Sequence, residues 1–366
     1  MKYSFKMPVN VIQEKECVKN NINIFKQAGT KALIVTGRHS AKACGALDDV
    51  EFILNEASID YEIFNEVENN PSLETVVKAA DIAKKSNIDF IIGIGGGSPI
   101  DASKAIAVLA ANDIEISDMF KNKFDKALNI IAVPTTSGTG SEATPYSVLL
   151  RKDLQTKVSF GNEYTFPKYA LLDPKYTYSL NYDTTVNTAI DAFTHCIEGY
   201  LSNRSNSISD ALALDAIRIF GEVLKDLSKK NITEDGREKL MYVSLIGGIV
   251  IANTGVTIAH GMGYCYTYFK DIPHGKANGL LMKNYLEYVY PERIEKVNKV
   301  LELLECRNIK EFADILEIMI GKAPKLTDKE IDQYTKLTLM QQGSMKNTAR
   351  IVDENIIKML WEKMNK

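Results

Sequence analysis

The rhythm of apolar and polar positions changes near residue 180. Upstream, short apolar runs alternate with amphipathic stretches of helical length. Ala32–Thr36, Tyr61–Phe64, Phe90–Gly95 and Ile130–Val133 predict strands. A stretch reaching about Asn55, then Leu73–Lys85 and Ile100–Ala111, predict helices between them. Strands that are apolar throughout, alternating with helices, predict a parallel sheet covered on both faces. Residues 146–150, 156–160 and 170–172 predict further short strands. Beyond Asp183 the strand-like runs stop. Helical periodicity over 184–201, 207–228, 234–252, 280–305, 308–320, 328–340 and 353–364 predicts an all-helical second domain. A chain of 366 residues is long for one core, and the change of texture divides it into 1–181 and 182–366.

Composition narrows the class. The chain is 45% hydrophobic and 25% charged, as soluble globular proteins are. A net charge of −3 supplies no basic field for nucleic acid or an anionic membrane. No apolar run reaches the roughly 18 residues of a membrane span, and Met1–Pro8 lacks the apolar core of a signal peptide. Five cysteines without close pairing predict reduced thiols and a cytoplasmic protein.

Two glycine-rich loops follow predicted strands. The first, Gly95-Gly96-Gly97-Ser98-Pro99-Ile100-Asp101, opens a helix. Its glycines let backbone amides approach an anion, and the helix N-terminus adds partial positive charge. Ser98 is placed to cap the helix or to donate to a phosphate, and Pro99 suits the first turn. The alternative is a tight strand-to-helix turn. The loop is neither the GxGxxG fingerprint nor a P-loop. The second loop, Pro134–Glu142, holds five hydroxyls and two glycines, either as a solvated loop or as part of a ligand site at a strand's C-terminal end.

Only four histidines occur: His39, His195, His260 and His274. Asp191 and His195 are four residues apart in a helical pattern, so they share a face. A carboxylate and three imidazoles suit one divalent metal. Spacing alone also admits a helix-surface ion pair with structural histidines.

These motifs occur together and in order: Gly95–Asp101, Pro134–Glu142, Asp191 and His195 with Glu198-Gly199-Tyr200, and His260 with His274-Gly275. In this the chain resembles the iron-containing (group III) alcohol dehydrogenases over nearly its whole length. The resemblance implies an α/β N-terminal nucleotide-binding domain plus an all-α, metal-binding catalytic C-terminal domain, a dehydroquinate synthase-like architecture. It implies metal ligands at Asp191, His195, His260 and His274. It places Gly95, Gly96, Gly97 and Ser98 on a pyrophosphate, and Thr135, Thr136 and Thr139 along the cofactor. Lys157 would approach the nicotinamide ribose, Asn70 the adenosine side, and Thr177 to Leu180 the adenine. The implied reaction is hydride transfer between a nicotinamide and a small alcohol or aldehyde. The implied metal is Fe(II), with Zn(II) as the substitute its donor set also accepts, and the implied assembly is a homodimer.

Two positions depart from the family pattern. NAD-using members commonly carry an acidic residue after the first strand, where this chain has Gly37. Its absence removes repulsion against a 2′-phosphate, and Arg38, His39, Ser40 and Lys42 are at hand to contact one. The expectation is NADP(H) in preference to NAD(H); a plain turn glycine is the alternative. Many members also have a histidine four residues after the third ligand, where this chain has Tyr264. Tyrosine, with a pKa near 10, is a poorer proton shuttle, so Tyr264 is expected to wall the site, a catalytic role relaying a proton through ordered water being the alternative. Phe193, Tyr200, Met262, Tyr264, Cys265 and Tyr268 line either an apolar substrate pocket or a helical core. The alternatives are a glycerol or propanediol dehydrogenase of the same fold, or a non-catalytic nucleotide-binding protein.

Overall fold

The computed structural model describes residues 3–365. The chain divides into two compact units, Met7–Leu180 and a second made of Asn181 onward with the N-terminal residues through Lys6. Lys6 is tied there by its N–H to Asn253 Oδ1 at 2.8 Å and by Asn253 Nδ2 to its carbonyl at 3.1 Å.

The first unit holds β1 (Asn10–Gln13), α1 (Cys17–Asn20), α2 (Ile22–Ala28), β2 (Lys31–Thr36), α3 (Ser40–Ala43), α4 (Ala46–Glu56) and β3 (Asp60–Phe64). There follow α5 (Leu73–Lys85), β4 (Phe90–Gly95), α6 (Gly97–Ala111), α7 (Ile116–Phe120), β5 (Asn129–Pro134), β6 (Ser147–Arg151), β7 (Thr156–Phe160) and β8 (Tyr169–Leu172). Six strands form a parallel sheet in the order β1-β8-β5-β4-β2-β3. Alternate side chains feed opposite faces. Ile34, Ile92, Ile94 and Val133 pack with Phe25, Val50 and Leu54. Leu33, Val35, Ile91 and Ile130 pack with Val76, Ala80, Ile106 and Val108. Burial on both faces explains why these strands are apolar throughout.

Of the three late strand predictions, only 170–172 joins the parallel sheet. β6 and β7 instead form an antiparallel pair with Leu150 opposite Lys157. The connection Lys152–Gln155, with Gln155 at φ +50°, suffices for a hairpin but is too short for a parallel crossover. The edge strand β1 escapes the pattern because Asn10-Val-Ile-Gln13 has only two apolar residues.

The second unit is helical: α8 (Tyr182–Leu201), α9 (Ser207–Ser228), α10 (Glu234–Thr254), α11 (Ile258–Phe269), α12 (His274–Val289), α13 (Ile294–Leu303), α14 (Ile309–Ile320), α15 (Asp328–Leu339), α16 (Gln342–Asn347) and α17 (Glu354–Lys363). The Asn181 side chain accepts from Thr184 N–H and starts α8, which packs against α9, α10 and α12. The helix expected over 280–305 is two, separated by a 3-10 turn at Tyr290–Glu292 that contains Pro291. α12 also begins earlier, at His274, and α11 has no counterpart in the periodicity. Glycines at 261, 263, 275 and 279 lower intrinsic helix propensity there, and packing overrides it. Among the described residues no single helix is both long and apolar enough to cross a membrane.

Candidate active site

The helical unit gathers the predicted ligands from three helices. α8 presents Asp191, His195 and, a further turn on, Glu198 from one face. α11 carries His260 near its start, and α12 opens on His274. α12 lies against α8 at a glycine: a Cβ on Gly275 would sit 1.8 Å from the Asn187 carbonyl oxygen and 2.8 Å from Asp191 Cβ. That approach brings His274 alongside Asp191.

Asp191, His195 and His260 are buried, and their ligand atoms all lie within 4.8 Å of one another. His260 Nε2 is 3.6 Å from Asp191 Oδ1. The His195 and His260 rings stack at 4.7 Å, and His274 meets His260 edge-on at 5.2 Å. One nitrogen, Asn278 Nδ2, lies 3.0 Å from Asp191 Oδ1, 2.9 Å from His260 Nε2 and 3.3 Å from His274 Nε2. All four predicted ligands therefore belong to one cluster, and the helix-surface ion pair is excluded by burial.

The supports of this cluster fix its protonation. Glu198 is fully buried, and its Oε1 receives a hydrogen bond from His260 Nδ1. Its Oε2 accepts from the Thr257 amide at 2.8 Å and the Thr257 hydroxyl at 2.5 Å. A carboxylate on Nδ1 keeps a proton there, so that Nε2 is the nitrogen left to face the cluster once the ring gives up its second proton. Thr267 Oγ1 donates to the Gly263 carbonyl at 3.1 Å, so towards His274 Nδ1 at 3.4 Å it acts as acceptor. Nε2 of His274 thereby faces the cluster. Burial works against a charged Asp191, but the imidazoles of His195, His274 and His260 outweigh it and hold the carboxyl below the usual range. Burial alone would lower His260, yet Glu198 and Asp191 push it up to about 9. Imidazole nitrogens with a carboxylate oxygen, buried and braced from behind, fit a divalent cation.

The aromatic and sulfur residues around the cluster divide. Phe193 is core, stacked on Phe220 at 4.1 Å and edge-on to Phe312. Met262 and Cys265 are buried, and Cys265 Sγ reaches the Tyr334 carbonyl at 3.8 Å. Tyr200 is buried under the Lys296 ammonium. Tyr268 packs on Phe269. Tyr264 stays at the cluster, its ring stacked on His274 at 5.3 Å and 14°.

The first unit builds a cradle at the C-terminal ends of its strands. α6 starts at Gly97 with Gly96 as N-cap and no side-chain cap, which leaves first-turn amides for an anion. Ser98, expected either to cap the helix or to donate to a phosphate, does not cap it. It lies inside the first turn, and its Oγ instead accepts the Asn70 amide at 3.1 Å. Asn70 is in the left-handed region at φ +58°. The second loop lies directly on the first: Thr135 N–H donates to the Gly95 carbonyl at 2.9 Å. A Cβ on Gly96 would come within 3.0 Å of Thr136 Oγ1, and one on Gly97 within 2.6 Å of Thr139 Cγ2. Gly37 directly follows β2, the neighbour of β4, and a Cβ there would be 3.3 Å from the Val67 carbonyl. Arg38, His39 and Ser40 are exposed beside it. Lys42 is already paired with Asp48. Lys157 faces Leu150, whose amide donates to the Pro71 carbonyl at 3.0 Å, next to Asn70. Thr177 and Leu180 stand apart from this group, in the turn after β8, one strand beyond β5.

Several contributors carried no assigned role in the sequence reading. Glu198 and Asn278 were legible as the positions one turn beyond His195 and His274 on the same helical faces. Lys104 had no such signal. Its buried ammonium donates to Ser141 O and Oγ at 2.8 and 2.7 Å, Thr144 Oγ1 at 3.2 Å and Tyr146 O at 2.6 Å, clamping the second loop to α6. Burial pushes it down to about 8 despite Asp101 and Glu142, while burial lifts Glu142 to about 7.

A parallel sheet with a glycine-rich strand-to-helix turn, in one chain with a helical unit bearing a three-imidazole, one-carboxylate cluster, fits a metal-dependent nicotinamide oxidoreductase. Comparison with known proteins agrees. The family model for iron-containing alcohol dehydrogenase matches residues 8–174, and that for the C-terminal part of the Fe-containing family matches 185–364. Alcohol dehydrogenase 4 of Schizosaccharomyces pombe is 32% identical over 290 residues, 78% of this chain and 68% of that protein. The NADPH-dependent butanol dehydrogenase of Clostridium saccharobutylicum is 29% identical over 96% of this chain and 91% of its own. The crystal structure of an iron-containing alcohol dehydrogenase from Thermotoga maritima superposes with a TM-score of 0.92 at 36% identity, covering 99% of each chain. The chain belongs to the iron-containing alcohol dehydrogenase family and is an iron-dependent, NAD(P)-linked alcohol dehydrogenase.

Proposed function

We propose that this enzyme interconverts small aliphatic aldehydes and primary alcohols, with NADP(H) preferred over NAD(H) and Fe(II) as the native ion. Asp191, His195, His260 and His274 would hold the ion. When bound, the metal supplies Lewis-acid polarisation of a carbonyl or hydroxyl oxygen, and the nicotinamide supplies or accepts the hydride. The observation that carries the reading is the convergence of Asp191, His260 and His274 on one nitrogen, beside His195. Glu198 keeps His260 in the tautomer that offers Nε2. Tyr264, flat against His274, walls the site and limits that ring's rotation. In the unit Met7–Leu180, Gly95 to Ser98 and the start of α6 would receive the pyrophosphate, with Thr135, Thr136, Thr139, Asn70, Lys157, Thr177 and Leu180 along the rest of the cofactor.

The NADP(H) preference rests on Gly37 followed by exposed Arg38, His39 and Ser40. Steady-state KM values for both cofactors test it, and a clear NADH preference sinks it. Gly37→Asp places a carboxylate where it repels a 2′-phosphate. It is expected to raise KM for NADPH by about tenfold or more, with a smaller change for NADH. Oxidation of NADPH over aldehydes of increasing chain length, with Fe(II) added anaerobically, defines the substrate. Stoichiometric zinc with full activity would displace iron. A polyol dehydrogenase is the second reading, favoured by 31% identity to the 1,3-propanediol dehydrogenase of Klebsiella pneumoniae. Including 3-hydroxypropanal and 1,3-propanediol in the screen separates the two. If no aldehyde or alcohol is turned over, the non-catalytic reading takes their place. We also take the enzyme to be a cytoplasmic homodimer; all five cysteines are free thiols, four of them buried. Light scattering reports the assembly.

A further inference from the structure

One turn into α6, Asp101 bridges two other segments of the first unit. Its Oδ1 accepts from Ser141 Oγ in the second loop. Its Oδ2 accepts the Val148 amide of β6 at 3.0 Å, and its carbonyl accepts from Ser147 Oγ at 2.7 Å. Lys104, the next turn on, is fully buried, with Nζ 3.6 Å from Asp101 Oδ1. An ammonium has three N–H groups. The three oxygens nearest to it are Tyr146 O at 2.6 Å, Ser141 Oγ at 2.7 Å and Ser141 O at 2.8 Å. A buried ammonium is costly unless it is paired and hydrogen-bonded. A methionine would fill the same length without that cost, so what the ammonium adds is connection.

The connected segments are those that form the cradle. The Ser141 amide donates to Thr139 Oγ1 at 3.2 Å, and Thr139 lies against Gly97 at the start of α6. Further along β6, Leu150 faces Lys157 and donates to the Pro71 carbonyl beside Asn70. We propose that Asp101 and Lys104 are positioning residues for the dinucleotide: from within α6 they hold the second loop and the β6–β7 hairpin around the first turn of the helix, and so set cofactor affinity. This rests on the reading of Gly95 to Ser98 as the pyrophosphate site. Thr139 and Lys157 sit on the segments held, so loosening those segments weakens binding although neither residue is changed.

The test uses the full-length protein and NADPH (or NADH, where that binds more tightly), with Kd read from the enhancement of its fluorescence. Lys104→Met keeps the length of the side chain and removes its N–H groups. It is expected to raise the Kd about tenfold, which is about 1.4 kcal/mol. KM for the cofactor should rise with it, while kcat at saturating cofactor stays within about twofold. An unchanged Kd with a lower Tm would make Lys104 a stabiliser of the fold alone and overturns the proposal. Charge balance is separated by combining Lys104→Met with Glu142→Gln, which removes a buried carboxyl whose charge acts on Lys104. The pair is expected to recover Tm while the Kd stays high. Recovery of both would assign the effect to unpaired charge, and also overturns the proposal. Should Lys104→Met not fold, Ser141→Ala removes the hydroxyl that Asp101 and Lys104 share. It is expected to raise the Kd about threefold, and no rise again overturns the proposal. Wild type that binds neither NADPH nor NADH is a different result: it rejects the cradle itself, and the proposal with it.

Discussion

Glu198 shows how one side chain decides what its neighbours can do. Fully buried, it accepts a hydrogen bond from His260 Nδ1 with one oxygen and ties down Thr257 with the other. Glu198→Gln keeps the shape but presents either a weaker acceptor or an N–H to Nδ1. The latter would turn the wrong tautomer to the cluster. The expected outcome is a loss of metal affinity of about 10- to 100-fold with the fold retained, read by competition against a chromophoric chelator and by circular dichroism. Unchanged affinity would mean that His260 needs no such brace. At this scale the clustered imidazoles were legible in the chain because histidine is rare in it. Their braces were less so, since Glu198 and Asn278 differ from surface residues only by burial, which spacing alone does not reveal.

Elements place these residues through close approach, and that is where pattern reading fell short. α11 and the start of α12 carry two ligands but read poorly as helix because of their glycines. The same glycines let the helices come together. A Cβ on Gly275 would meet the Asn187 carbonyl at 1.8 Å, a backbone atom with little freedom to yield. Gly275→Ala is expected to destabilise by about 1–3 kcal/mol and to weaken metal binding by shifting His274. Urea denaturation and metal titration of the same samples check both.

A second tie joins the end of α11 to α15, where Lys270 pairs with Glu330, which also closes a capping box with Thr327. Lys270 first, then Thr327, hold the Glu330 carboxyl down at about 2, from an ordinary 4.5. A depressed carboxyl stabilises the fold above its unfolded pKa, and that stability disappears as pH falls through the folded value. Both side chains are about a quarter exposed (26% and 27%), so solvent screening keeps the contribution within about 1 kcal/mol. Wild type should therefore exceed Glu330→Gln in urea midpoint near neutral pH. The gap should close between about pH 4.5 and about pH 2. A gap that persists into that acid range would assign the effect to packing.

On the scale of the whole chain, the alternation of buried strands and helices announced the first unit, and the loss of strand-like runs announced the second. The β6–β7 hairpin and the edge strand β1 were not legible as such, because pairing direction depends on connection length and partner more than on composition. The division has a thermodynamic consequence. The metal donors and their braces all lie in the unit from Asn181 onward, whereas the cradle residues all lie in Met7–Leu180. Each set of candidate residues thus lies within a single unit. Stripping the metal should lower the melting temperature of the protein yet leave NADPH binding nearly intact. A coupling free energy below about 1 kcal/mol corresponds to less than about fivefold in Kd. Quenching of the single tryptophan, Trp361, is a poor reporter here because that residue is buried in the helical unit. Enhancement of NADPH fluorescence reads the affinity directly, with and without chelator. A loss of NADPH affinity well beyond fivefold on stripping would show that the cradle depends on the metal cluster, and that the two sites are built as one.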